Sequence, residues 1–479
     1  MHVRESPFVI LTNFACQNLK KMGKSPKKYD TLEGLLKYPS ENFFNSQAFC
    51  GCLLLLSAVV AIICANCSEL QPFYNNLLNM EVGIKTGNAE LMLPLQTWIN
   101  DGLMAIFFLT VGLEIKREMI VGQLSSIKHA ALPIIGALGG MVFPAVIYAL
   151  FNAGSDTSNG WGIPMATDIA FAIGVLSLLG KRVPTGLKVF LMALAIADDL
   201  GSIFVIAFFY PSHAIDFLYL TLAGLVTAFM IVMNRLRVNK SLYYIVPGML
   251  LWFLMLKSGV HATVAGVIMA ITIPARSFVN ELEFSKNMSL LVNHFNDVSK
   301  DNTSVLTNPE QQIVINGMDE MSSKMNPMLH RFEFHLHSIS DYFIMPMFAF
   351  FNAGVVFDAS LFSWPLPPIV PGIFFGLLIG KPLGISLSCW LATKFKVAAL
   401  PEGCNWKQFI SLGFIAGIGF TMAIFVDGLA FLPSGLPEEQ ISYYVNLGKA
   451  VILLTSVTAA LVGAASLYFT TKDGDSAGK

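Results

Sequence analysis

The chain has 479 residues, of which 54% are hydrophobic and 13% charged, and its mean hydropathy is +0.63. That balance excludes an ordinary soluble domain and marks a membrane protein. With 30 basic and 31 acidic side chains the formal net charge is −1, without the basic excess that a nucleic-acid partner requires. Seven scattered cysteines, most of them in apolar segments, define neither a disulfide framework nor a metal site.

Residues 1–47 are polar and basic and read as a cytoplasmic leader, too long for a cleavable signal peptide, so the apolar run from Phe49 is a retained helix. Windows of about twenty residues predict twelve transmembrane helices. They cover 48–66, 95–115, 129–151, 160–180, 187–210, 215–234, 242–256, 259–275, 340–356, 367–393, 408–431 and 443–470. The fold class is an all-α polytopic membrane protein. Residues 48–275 hold the first eight helices, 331–470 the last four, and 471–479 form a tail. Between them, 276–330 is polar without a sustained apolar period, and reads as a flexible cytoplasmic insert with a short helix near Phe278–Phe295. Of the 30 Lys and Arg residues, 26 fall on the leader's side of this alternation; only Lys85, Lys257 and Lys449 fall on the other, and Lys381 lies within a span. The excess of cations on cytoplasmic loops then puts both termini inside.

Several spans carry residues that an apolar segment does not need. At the end of the second, Glu114, Arg117 and Glu118 share one helical face. The fourth contains Pro164, Thr167 and Asp168, and the proline predicts an interruption near Met165–Asp168 whose freed carbonyls need partners. The fifth holds adjacent Asp198 and Asp199 with no neutralising residue nearby in sequence. One ionised side chain at the bilayer centre costs about 2.5 kcal/mol or more, so such acids are a functional-site hypothesis by default. Where the ninth span begins, Glu333 and His337 lie one turn apart. The tenth contributes Lys381, a cation that needs an anion, with Asp198 or Asp168 as its partner. The eleventh clusters Gly413, Gly417 and Gly419 where a helix is weakest.

Interrupted spans in two halves of a chain point to a transporter built from repeats. Spans three to five (129–210) and ten to twelve (367–470) are therefore read as two inverted three-helix repeats, each with an interrupted middle helix, 4 and 11. Consecutive helical residues point about 100 degrees apart, so one aspartate can bind a cation while the other pairs. Carboxylates, a hydroxyl and freed carbonyls are hard oxygen ligands suited to Na⁺ or Li⁺. A carboxylate in low dielectric also holds a proton when no cation is present. Binding either ion from alternate sides is antiport.

The chain resembles the bacterial Na⁺/H⁺ antiporter NhaA family through seven motifs in order. They are Trp98-Ile-Asn-Asp-Gly-Leu-Met-Ala-Ile-Phe-Phe-Leu, Val111-Gly-Leu-Glu-Ile-Lys-Arg-Glu, Ala166-Thr-Asp-Ile-Ala-Phe-Ala, Phe190-Leu-Met-Ala-Leu-Ala-Ile-Ala-Asp-Asp-Leu-Gly, Lys257-Ser-Gly-Val-His-Ala-Thr, Gly380-Lys-Pro-Leu-Gly-Ile-Ser and Gly417-Ile-Gly-Phe-Thr-Met. The resemblance implies that Asp199 and Asp198 are the cation- and proton-binding pair and hold the transported Na⁺. It implies that Asp168 and Thr167 compensate the crossing helix ends, and that Lys381 pairs with Asp198. Asp101 matches an acid near the cytoplasmic funnel; Glu114, Arg117, Glu118, Glu333 and His337 match the pH-sensing entrance, and His261 a residue linked to the pH profile. Family members are inner-membrane homodimers that extrude Na⁺ or Li⁺ against H⁺, electrogenically and with activation at alkaline pH, in pH and sodium homeostasis. Residues 79–93, with a turn at Thr86-Gly-Asn, resemble the periplasmic hairpin that pairs protomers. Two positions depart from the pattern: Phe334 stands where well-known members carry a histidine, with His335 one residue later, and Asp427 stands where a small neutral residue is expected.

Two other classes fit less well. Intramembrane aspartyl proteases and magnesium-dependent transferases need a second acidic motif that this chain lacks, since Asp198-Asp-Leu-Gly-Ser has no further Asp or Lys to hold Mg²⁺ or diphosphate. A channel needs a continuous polar pore, whereas these polar residues cluster at one depth. The sequence thus predicts a transporter, not an enzyme, with no cofactor.

Overall fold

A computed structural model describes residues 47–86, 89–211, 213–298, 308–357, 364–401 and 403–471. The leader up to residue 46, the tail from 472 and residues 299–307 of the insert lie outside them. Among the described residues, eight helices are long and apolar enough to cross a membrane, and one bent pair makes a ninth. Helices are what such sequences form, because in lipid each backbone N–H and C=O must find its partner within the segment.

Helix α1 (Gln47–Asn66) has no charged residue; α2 (Gln71–Leu78) is short. An antiparallel hairpin follows, β1 (Glu81–Thr86) with β2 (Ala89–Pro94), in a register pairing Glu81 with Pro94 and Thr86 with Ala89. The turn residues 87–88 lie outside the described residues. Helix α3 (Leu95–Ile120) begins with a π-wound turn at Trp98–Leu103, and Trp98 Nε1 donates to Val82 O at 2.7 Å, tying the hairpin to it. Next come α4 (Ile127–Asn152), a 3₁₀ segment (Ser158–Met165), α5 (Ile169–Leu178), α6 (Thr185–Phe209) and α7 (Phe217–Arg235).

Span seven, expected over 242–256, forms α8 (Leu242–Ser258), two residues longer, whereas span eight, expected over 259–275, forms only the ten-residue α9 (Thr263–Thr272). Over 276–330, where one short helix is predicted, two form: α10 (Glu281–Val298) and α11 (Pro309–Met325), packed on each other. Asn308 starts the second by accepting from the backbone N–H groups of Glu310 and Gln311. Helix α12 (Met328–Ile339) runs through a π turn (Ser340–Ile344) into α13 (Met345–Asn352). The chain ends with α14 (Ile369–Lys394), α15 (Trp406–Ala416), α16 (Phe420–Ala430) and α17 (Glu438–Thr470).

Two features of this packing fix the site. Helices α4 and α14 cross at backbone contact: a Cβ added to Gly384 would lie 2.1 Å from Gly139 O, and one at Gly139 would lie 2.3 Å from Gly384 O. Only glycine permits that approach, and it brings Lys381, one turn before Gly384, into the interior. The second feature is a pair of breaks. Residues 166–168 are extended between the 3₁₀ segment and α5, where Pro164 led an interruption to be expected, and α15 and α16 meet at Gly417–Gly419 with a bend of 48°. At Gly417 a Cβ would stand 2.6 Å from Leu377 O, so α14 also leans on the second break.

Candidate functional site

The two breaks complete each other's hydrogen bonds. Asp168 N donates to Ile418 O at 2.7 Å, and Thr167 Oγ1 donates to Ala416 O at 2.9 Å. Asp168 caps α5 by accepting from Phe171 N at 2.9 Å through Oδ1. Its Oδ2 accepts from Thr421 N at 3.1 Å and from the Thr421 hydroxyl, at the start of α16. One carboxylate thus faces the positive ends of two half-helices, where anions are favoured. Thr421 was not singled out in the sequence; its place two residues past Gly419 in the glycine-broken motif was the available signal.

Lys381 follows a π-wound stretch of α14 (Gly376–Gly380), a winding often found at functional positions. Its Nζ donates to Asp198 Oδ2 and to Thr167 Oγ1, both at 2.6 Å. Both ends of the ion pair are sealed, Lys381 at 0% and Asp198 at 1% exposed. Of the two partners open to Lys381 in the sequence, the structure selects Asp198, because Asp168 is taken by the helix termini. Thr167 Oγ1 also bonds the last carbonyls of α15 through Ala416, so the ammonium sits toward a negative helix end.

Asp199 differs from its neighbour. It is 3% exposed, and its Oδ1 has no hydrogen-bond partner among the described residues. Asp198 Oδ1 is likewise unpartnered. The chemistry on offer is two carboxylate oxygens without donors, beside an ammonium already engaged. The charges of Asp198, Glu114, Asp168 and Lys381 all act on Asp199.

A cavity of about 400 Å³ lies beside the C-terminal end of α3, and Asp198, Asp199 and Lys381 do not line it. Its lining includes Thr110, Glu114 and Arg117 of α3, Ile173 of α5, Met192 of α6, and Glu333 and His337 of α12. Met192 and Asp199 are seven residues apart on α6 and therefore share a face. At the mouth, Arg117 Nη1 contacts Glu333 Oε1 at 2.9 Å and its Nη2 contacts Glu118 Oε1 at 3.0 Å, joining α3 to α12. His337 Nε2 stands 3.5 Å from Asp341 Oδ2, one turn further along. Asp341, His330 and Cys50 also line the cavity and were missed; Glu333, His337 and Asp341 at four-residue spacing was the legible clue to the first. Phe334 lines the cavity too, whereas His335 turns back to Arg331 O at 2.7 Å.

Two sequence candidates fall elsewhere. Asp101 lies in the π turn at the start of α3, about 13 Å along the helix from Thr110. Instead of lining the cavity, it offers its backbone oxygen to Trp252 Nε1 at 2.9 Å. Its position is at the opposite end of α3 from Glu114 and Arg117. His261 is 2% exposed in the turn between α8 and α9, beside the Tyr210 backbone, and does not line the cavity either.

A family model described as Na⁺/H⁺ antiporter 1 matches residues 41–467. A protein named Na⁺/H⁺ antiporter NhaA from Helicobacter pylori (strain G27) is 43% identical over 436 residues, 91% of this chain and 96% of its own length. One of the same name from Oleidesulfovibrio alaskensis is 45% identical over 441 residues, covering 92% and 95%. Another from Wolinella succinogenes is 42% identical over 435 residues, covering 91% and 94%. These relatives are named as transporters, not enzymes, and the chain belongs to the NhaA family of Na⁺/H⁺ antiporters.

Proposed function

We propose that the protein exchanges cytoplasmic Na⁺ or Li⁺ for external H⁺ by alternating access at the carboxylates beside Lys381. The observation that carries this is the asymmetry of the aspartate pair: Asp198 is locked to Lys381 at 2.6 Å, while Asp199 is as deeply buried and keeps an unpartnered oxygen. Asp199 is the principal ligand of the cation and of the proton that replaces it. Asp198 gives its second oxygen to the cation while Lys381 holds the first. Asp168 is a positioning residue, its charge spent on two helix ends.

When a Na⁺ enters, its charge displaces the Asp199 proton and weakens the need for the Lys381 ammonium. If Lys381 gives up a proton as well, one cation leaves for two protons and the cycle moves net charge. Twelve spans, six of them in two inverted three-helix repeats (129–210 and 367–470), with cytoplasmic termini in a bacterial inner membrane, supply the frame; the two facing breaks support the repeats. The 400 Å³ cavity serves as the cytoplasmic entrance, and the Arg117, Glu118, Glu333, His337 and Asp341 cluster at its mouth raises activity at alkaline pH. A two-stranded ribbon has open edges, and pairing of the 79–93 hairpin with a second copy supports a homodimer.

The direct test is Na⁺-induced collapse of a proton gradient in everted membrane vesicles, from mildly acidic to mildly alkaline pH. Wild type is expected to respond and Asp199→Asn to be silent at equal expression; unchanged exchange in the variant sinks the site.

A further inference from the structure

Six residues beyond Thr421 on α16 lies a buried acid that the exchange cycle does not use. Asp427 is 0% exposed, and neither carboxylate oxygen has a hydrogen-bond partner among the described residues. Its carboxyl group packs against the backbone of α17, where a Cβ at Gly448 would stand 2.2 Å from Oδ1 and 2.8 Å from Oδ2. The next residue, Lys449, is the cation whose charge acts on it. From α4, Tyr148 faces the same acid, but its hydroxyl donates to Thr157 O at 2.8 Å. A carboxylate this enclosed is not tolerated bare: it either carries a proton or is met by an ammonium. The flexible lysine stem beside Gly448 allows the second without dictating it. One carboxylate next to an ammonium repels a metal ion, so the ligand that fits is a proton.

We propose that Asp427, Gly448 and Lys449 form a second proton-binding site, between the helix crossing and the outer face, where Asp427 alternates between the neutral acid and an ion pair with Lys449. The proton comes from external water, forms the O–H of Asp427 and frees the ammonium; its return to water restores the pair. Gly448 is required because any side chain there would occupy the carboxyl group's place. The assignment to the outer side rests on the proposed antiporter topology; the existence of the site does not.

Infrared difference spectroscopy between acidic and alkaline pH, on the full chain in proteoliposomes, reads the neutral carboxyl directly. A protonated-carboxyl band that disappears at alkaline pH in wild type should be missing from Asp427→Asn and should persist to higher pH in Lys449→Met. Identical difference spectra for wild type and Asp427→Asn overturn the proposal. With pH set separately on the two sides, Asp427→Asn should shift the external-pH profile of exchange by about one unit, a tenfold change in proton affinity. Half-saturating Na⁺ on the opposite side should be unchanged, and Asp427→Glu should restore the profile. Superimposed profiles refute an outer-side role. Loss of the spectral band needs no transport, so it stands or falls separately from the Asp199→Asn result.

Discussion

Replacing Lys381 with Met keeps a side chain of similar length on α14 and removes the only cation bonded to Asp198 among the described residues. At 2.6 Å, an effective dielectric constant of about 20 gives a Coulomb term of about 6 kcal/mol. Much of it is cancelled by the desolvation of both ions, so the pair adds little against an apolar substitute. Breaking it is another matter, because Asp198 is left buried beside Asp199 with nothing to match it; such single removals cost about 3–5 kcal/mol. Asp198→Asn combined with Lys381→Met removes both charges and should recover most of that loss. Thermal unfolding of the purified protein in detergent, followed by intrinsic fluorescence, reads all four members of the cycle. A midpoint that drops strongly for Lys381→Met and returns toward wild type in the double variant supports a tight pair. If the two single effects simply add, the residues are not coupled and the division of roles between Asp198 and Asp199 fails.

Other positions make separate tests. Gly384→Ala drives a Cβ to 2.1 Å from Gly139 O, so α4 and α14 must separate; overpacking of this kind costs about 1–3 kcal/mol and should appear as a lowered melting midpoint and reduced folded yield in size-exclusion chromatography. Lys116 Nζ donates to Ala270 O at 3.3 Å, to Ile271 O at 2.6 Å and to Ile273 O, closing the C-terminal end of α9. Lys116→Met should cost about 1–3 kcal/mol in the same melt, while Lys116→Arg should retain most of the stability. Arg117→Gln removes the partner of Glu333, whose side chain is only 11% exposed and left short of partners, so the change should cost about 1–3 kcal/mol in the same melt. Because this contact ties α3 to α12 at the cavity, its loss should change the pH dependence of exchange in vesicle assays; an unmoved profile removes this ion pair from the pH response.

The chemistry of the site was more legible in the sequence than its connections. A charge in an apolar run announces itself, and Asp168, Asp198, Asp199 and Lys381 were found that way. Which of them would touch was not readable, because period and composition carry no information on contacts between residues 183 apart, such as Lys381 and Asp198. Thr421 escaped for the same reason: a lone threonine in a membrane helix bonds its own helix more often than a distant carboxylate. The second helix of the insert was missed because its composition is polar overall, although Val314, Met318, Met321 and Met325 repeat at helical spacing and α10 packs against it with Phe284, Met288, Leu291 and Phe295 at the same spacing. Asp101, set near the funnel by resemblance alone, lies in the π turn at the start of α3, at the other end of that helix from Glu114.

The division of roles among the carboxylates gives opposite expectations for two isosteric changes. Asp168→Asn keeps an oxygen to accept from Phe171 or Thr421 but removes the charge that faces the N-termini of α5 and α16. Each helix-end interaction is worth about 0.3–1 kcal/mol and up to ~2 kcal/mol when buried, so the loss should fall on stability, about 1–3 kcal/mol in total, with Na⁺ affinity largely kept. Asp199→Asn removes no hydrogen bond that holds the fold and relieves repulsion from Asp198, so it should melt at or above the wild-type temperature and bind no Na⁺. Calorimetric Na⁺ titration beside the thermal melt separates the two. An Asp168→Asn protein that melts normally but no longer binds Na⁺ makes Asp168 a ligand. The crossing of the half-helices would then hold the cation itself, instead of holding in place the carboxylates that do.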